Sequence, residues 1–134
     1  MAGSRRRRDP VGRAVDAAEE RTGLQFVVYL GPAGPDAHDR AVALLDPGGT
    51  GAHPDVVLLV APEARAVEIV TAPAVVARIP DEACAAAIER MVPHLRRRRY
   101  SRAIATAVTH LAEVAGPGVA GPGAVELPDV VDDR

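Results

Sequence analysis

"DVVLLVAPEARAVEIVT", residues 55–71, joins two strand-like runs through the break Pro-Glu-Ala-Arg. From Val56 to Ala61 every residue is apolar and most are β-branched or leucine, the pattern of a strand buried on both faces. "AVEIVT" follows directly after the break, so the two runs fold back on each other as a hairpin. Upstream, "LQFVVYL" (residues 24–30) is also apolar on both faces and reads as a buried central strand. "GPAGPD" breaks that strand, "AHDRAVALL" (37–45) supports a short helix, and "DPGGTGAHP" (46–54) is loop. A helix between two strands makes the strands parallel, joined by a right-handed crossover. The expected sheet is therefore small and mixed, a parallel crossover plus a hairpin.

Helices account for the rest. Asp9 is placed to cap a helix with Pro10 at its first position, Val11, Ala14, Val15 and Ala18 on one stripe, and Gly23 at its end. After "TAPAVVARIP", two helices run from Asp81 to about Val114. Cys84, Ala87, Ile88, Met91, Val92 and Leu95 form the apolar face of the first. Continued past Leu95 at about 100° per residue, that helix would turn Arg98 and Arg99 onto its buried face. Unpaired guanidinium groups are too costly to bury there. The next face, Tyr100, Ile104, Val108, Leu111 and Ala115, demands a fresh start, with Ser101 as its expected cap. The first helix must stop inside "RRRR" (96–99), with Pro93 as a kink just before it, and the run is a helix–helix connection. The class is α/β, with about four helices flanking the sheet.

Composition narrows the chemistry. The chain has 134 residues, enough for one domain with a real core, and 48% of them are apolar. There is no Trp, and all 16 basic residues are arginine, so lysine Schiff-base and phosphate-loop chemistry is excluded. The net charge of −2 does not describe a generally polyanion-seeking protein. A single cysteine, no apolar stretch behind the basic start and no run longer than "VVLLVA" point to a cytoplasmic protein without a membrane span. Ser4 and Ser101 are the only serines, so no nucleophilic triad can be assembled. The prolines of "GPAGPD" lack the N–H groups a phosphate loop would use.

From Val15 to about Ala115 the chain resembles the TPM-domain family, in particular a branch found in actinobacteria and described as a domain of unknown function. The resemblance rests on "VDAAEERTGLQFVVYLG", "DVVLLVAPEARAVEIVT", "IPDEACAAAI" and "RRRYSRAIATAVTHLAEVAG". It implies a compact domain with helices packed on a small mixed sheet. It also implies two kinds of activity, since some TPM domains are described as acid phosphatases and others as calcium-binding or assembly-assisting modules. On this basis residues 9–116 form the TPM-like domain. Residues 1–8 are then a disordered basic arm, and 117–134 a Gly/Pro linker and acidic tail. Two departures stand out. "TAPAVV" replaces a glycine-rich turn, and Arg98-Arg99 stand where the family favours Gly-Asp ahead of the tyrosine.

Two sets of candidate residues follow. Arg96, Arg97, Arg98, Arg99 and Arg102 lie in a segment, Arg90 to Ala112, without one acidic residue; they are either a solvated connection or a site for an anion or acidic partner. Asp55 and Asp81 match acidic positions of the family pattern, and the resemblance implies a possible calcium or magnesium ion there. Their plain reading is structural, Asp81 and Asp36 as helix caps and Asp55 as a strand-entrance residue. Asp36, His38 and Asp39 cluster beyond the first strand, the edge where open α/β sheets bind ligands. His53, His94 and His110 are scattered in pattern. No cofactor is expected from the residues alone. The composite reading is a non-catalytic module that binds a protein partner or an anion through its basic connection. A metal-dependent phosphatase is the alternative, and a nucleic-acid accessory protein the third.

Overall fold

The computed structural model describes residues 9–45 and 54–118; the arm 1–8, His53 and residues 119–134 lie outside the described residues. Helix α1 spans Pro10–Thr22, with the Asp9 side chain accepting from the Val11 N–H at 3.1 Å and Gly23 closing it at φ 75°. Strand β1 is Phe26–Leu30, helix α2 Ala37–Leu45, strand β2 Val56–Ala61 and strand β3 Ala66–Thr71. Helices α3, Asp81–Arg96, and α4, Tyr100–Ala115, complete the order. Short 3-10 turns, Pro62–Ala64 and Pro73–Val75, follow β2 and β3.

The sheet order is β1-β2-β3, with β1 parallel and β3 antiparallel to β2. The mixed sheet is as the sequence predicts, but the central strand is β2, not β1. The hairpin places β3 on the free side of β2, which leaves β1 a single neighbour. All six residues of β2 are buried, whereas Val27 and Leu30 of β1 are exposed.

The two faces of the sheet carry unequal layers. Val56, Leu58 and Val60 of β2 pack with α1, α3 and α4 in the larger core, around Met91, Ile104, Val108 and Leu111. Val57, Leu59 and Ala61 point the other way and are covered by α2 through Ala41. Alternate residues of one strand thus enter different cores, which explains why β2 is apolar throughout.

Among the described residues one polar side chain, Thr22, is fully buried. Its hydroxyl donates to the Ala18 carbonyl at 2.7 Å and accepts from the Leu24 N–H at 3.0 Å, satisfying a backbone group where α1 turns into β1. Thr22→Val keeps the shape but leaves that N–H unpaired, and it should cost about 1–2 kcal/mol in urea unfolding. An unchanged midpoint would show that water replaces the hydroxyl.

The end of α4 is tied down as well. The Arg78 guanidinium donates to the carbonyls of Ala115, Gly116 and Pro117 at 3.0–3.4 Å, and the Gly118 N–H donates to the Arg21 carbonyl at 2.6 Å. The docked chain therefore runs two residues past 116. The sequence reading of residues 1–8 and 119–134 falls outside the described residues.

Candidate functional site

The arginine run is the connection that the helical phase demands. α3 runs through Pro93 to Arg96, and α4 begins at Tyr100. The Arg98 N–H donates to the Leu95 carbonyl and the Arg99 N–H to the His94 carbonyl, both at 2.9 Å, the paired closure of a Schellman turn. The residue at the left-handed corner of such a turn is usually glycine, as Gly23 is at the end of α1. Here it is Arg98, at φ 58°. Arg99 then stands at the N-cap of α4, and no side chain caps that helix. Ser101 lies inside the first turn and does not cap it. The Schellman closure delivers the chain to Arg99, whose carbonyl already accepts from the Ala103 N–H. Asp81 is displaced from its expected role in the same way, because Pro80 holds the N-cap of α3 and Asp81 is the first helical residue. Its charge still suits the positive helix end.

Across from this connection lies the β2–β3 turn, which contains the second left-handed arginine, Arg65, at φ 52°. Between the turn and the connection is a cleft of about 800 Å³, within the usual range for binding clefts. Arg65, Arg96 and Arg98 line it together with Val67, Val92, Leu95 and Tyr100, and Glu63 supplies its carboxylate. None of the three guanidinium groups forms an ion pair with another described residue. The cleft opens off the end of β2 at Ala61, the carboxyl edge of the parallel pair, where open α/β sheets bind ligands.

The other sequence candidates sit elsewhere. Arg102 lines a shallower depression of about 380 Å³ with Arg90, Thr106, Thr109 and His110 on the outer faces of α3 and α4. Arg97 and Arg99 are exposed and line neither cavity. The Asp55 carboxylate accepts from the Gln25 N–H at 2.8 Å and fastens the start of β1 to the start of β2. Asp81 stands one helix length, about 24 Å, from the arginine connection. Among the described residues no three His, Cys, Asp or Glu side chains are grouped as a metal ion would need.

Asp36 caps α2, accepting from the Asp39 N–H at 3.0 Å, and His38 meets Glu68 of β3 at 3.1 Å. The hydrogen bond with Glu68 raises the His38 pKa, and the surrounding carboxylates add to it. Because the folded value lies above the unfolded one, this contact supports the fold below about pH 6.5 and fades as pH rises through the raised value. Burial pushes the Cys84 thiol up, away from thiolate chemistry.

The sequence pattern of the TPM domain matches residues 4–114. The chain belongs to the TPM-domain family. The NMR structure of the BA42 protein of Bizionia argentinensis superposes with a TM-score of 0.70 at 15% identity, over 85% of this chain and 83% of that one. The N-terminal domain of a P. gingivalis protein gives 0.66 at 21% identity, over 77% and 69%. At such identities these likenesses establish the TPM fold alone. No curated protein matches in sequence.

In this TPM domain Arg65 is the contributor that sequence spacing missed. Its only signal is its place in the turn leaving β2, since nothing local shows that this turn faces the α3–α4 connection. Exposed, and with no ion pair to another described residue, the arginines of the connection should bear little of the stability. Arg97→Ala with Arg98→Ala should shift unfolding by less than about 1 kcal/mol. Loss of folding in that variant would mean that the arginines are held by buried partners.

Proposed function

We propose that this TPM domain is a non-catalytic binding module, acting in the cytoplasm, whose arginine cleft takes up the anionic group of a partner. The observation that carries the proposal is that Arg65, Arg96 and Arg98, unpaired with any described residue, line one cleft together with the apolar Val92, Leu95 and Tyr100. Guanidinium groups bind carboxylate and phosphate through paired, charge-assisted hydrogen bonds. The apolar wall adds surface for a ligand that is more than a bare ion. Arg65 and Arg98 hold left-handed backbone conformations that glycine would adopt without strain, the kind of local cost that functional positions retain.

Polyglutamate is a suitable probe. It should bind the domain with an affinity that falls steeply with salt, and Arg65→Ala with Arg98→Ala should remove binding while leaving the unfolding midpoint in place. Equal binding by that variant would refute the cleft as the site. The phosphatase alternative is tested with p-nitrophenyl phosphate and added calcium or magnesium. The expected turnover is negligible, and hydrolysis that vanishes in Asp55→Ala or Asp81→Ala would overturn the non-catalytic assignment. No helix among the described residues is long and apolar enough to cross a membrane.

A further inference from the structure

The cleft continues into an open sheet edge. The Ala72 N–H donates to the Asp55 carbonyl at 2.9 Å, and the register pairs Val57 with Val70, Leu59 with Glu68 and Ala61 with Ala66. In an antiparallel ladder the hydrogen-bonding direction alternates along the strand. Ala66, Glu68, Val70 and Ala72 therefore bond to β2, and the N–H and C=O groups of Val67, Ile69 and Thr71 point away from it. Those groups bond to no other described residue. Edge strands are usually blunted by lysine, proline or a bulge. β3, "AVEIVT", has none of these across six continuous pairs, and its one charge, Glu68, is turned to His38. The edge begins where the arginines are, because Ala66 and Val67 line the cleft opposite Val92, Leu95 and Arg96 of α3. An edge strand beside a helix, with cations at one end of the groove, is a receptacle for an extended acidic chain.

We infer that an extended peptide with alternating apolar and acidic residues adds as a fourth strand to β3, its apolar side chains against Val92, Leu95 and Tyr100 and its acidic end at Arg65, Arg96 and Arg98. The inference rests on the proposed anion-binding role of the cleft and names its ligand class and binding mode. Main-chain bonds to Val67, Ile69 and Thr71 supply affinity without sequence preference, and the groove and the arginines select. Charge complementarity favours this occupant over a second copy of the chain. β3 itself offers a second copy one carboxylate, Glu68, already hydrogen-bonded to His38, whereas an acidic peptide presents several to the arginines.

The test uses the synthetic peptide Val-Asp-Val-Asp-Val-Asp. On binding, amide exchange at Val67, Ile69 and Thr71 should slow roughly tenfold or more, as expected for newly bonded edge amides. Arg65→Ala with Arg98→Ala should weaken the peptide roughly tenfold or more, the scale of lost charged hydrogen bonds. The same peptide N-methylated at every residue, which cannot complete the ladder in either strand direction, should also bind at least about tenfold more weakly to the unaltered protein. Equal affinity for the methylated peptide, or binding without protection of the three amides, would overturn strand addition while leaving the anion cleft intact. Failure of both the peptide and polyglutamate to bind would overturn both. Protection of the β3 edge that rises with protein concentration and needs no peptide would assign the edge to a second copy instead.

Discussion

Arg98→Gly combined with Arg99→Asp should stabilise the domain by about 2 kcal/mol and raise its Tm by on the order of 10 °C. The gain has two sources, one at each residue. Arg98 holds the left-handed corner of the Schellman turn at φ 58°, where a side chain costs about 1 kcal/mol and glycine costs little. Arg99 occupies an N-cap that no side chain satisfies, and its charge opposes the positive end of α4. Aspartate there can accept from the next free N–H groups, a gain of about 1 kcal/mol. The same change removes one arginine from the cleft, so the stabilised protein should bind polyglutamate more weakly. Stability and binding moving in opposite directions would identify the connection as strain kept for a purpose. A rise in stability with unchanged binding would leave Arg98 as a solvated residue. An unchanged Tm would mean that the left-handed turn is absent in solution.

Leu58→Ala should destabilise by about 3 kcal/mol, in urea or heat. Leu58 is at the middle of the central strand, fully buried, and packs into the core under α1, α3 and α4. The loss combines removed apolar surface with a cavity that close-packed neighbours cannot refill. Leu59, one residue on, enters the smaller core under α2. Leu59→Ala should therefore loosen α2 locally, seen as faster amide exchange in residues 37–45, whereas Leu58→Ala should lower the protection of the whole domain. Matching exchange patterns for the two variants would contradict the division into two cores.

Much of this fold was legible in the chain. α2 and β3 coincide with "AHDRAVALL" and "AVEIVT" because turn residues bracket both segments. The break inside "RRRR" followed from helical phase and the cost of burying charge. The rank of the strands did not follow. β1 and β2 are both apolar on two faces, and only the side on which the hairpin closes makes β2 central. Ser101 and Asp81 do not cap their helices, because a cap position is set by where the preceding turn closes, not by residue type alone. Of the candidate arginines, Arg96 and Arg98 line the cleft, while Arg102 faces a different depression. Arg65 is out of reach of local pattern, since it shares the cleft with Arg98 only through the packing of segments more than thirty residues apart.

The central claim is that Arg65, Arg96 and Arg98 act together on one anionic ligand. Its most direct measurement follows the side-chain Nε–Hε resonances of all arginines during a polyglutamate titration at low salt. The account predicts that Arg65, Arg96 and Arg98 shift together with one dissociation constant, while Arg13 and Arg21 on α1 stay in place. Uniform small shifts across every arginine, or shifts confined to Arg97, Arg99 and Arg102, would contradict it.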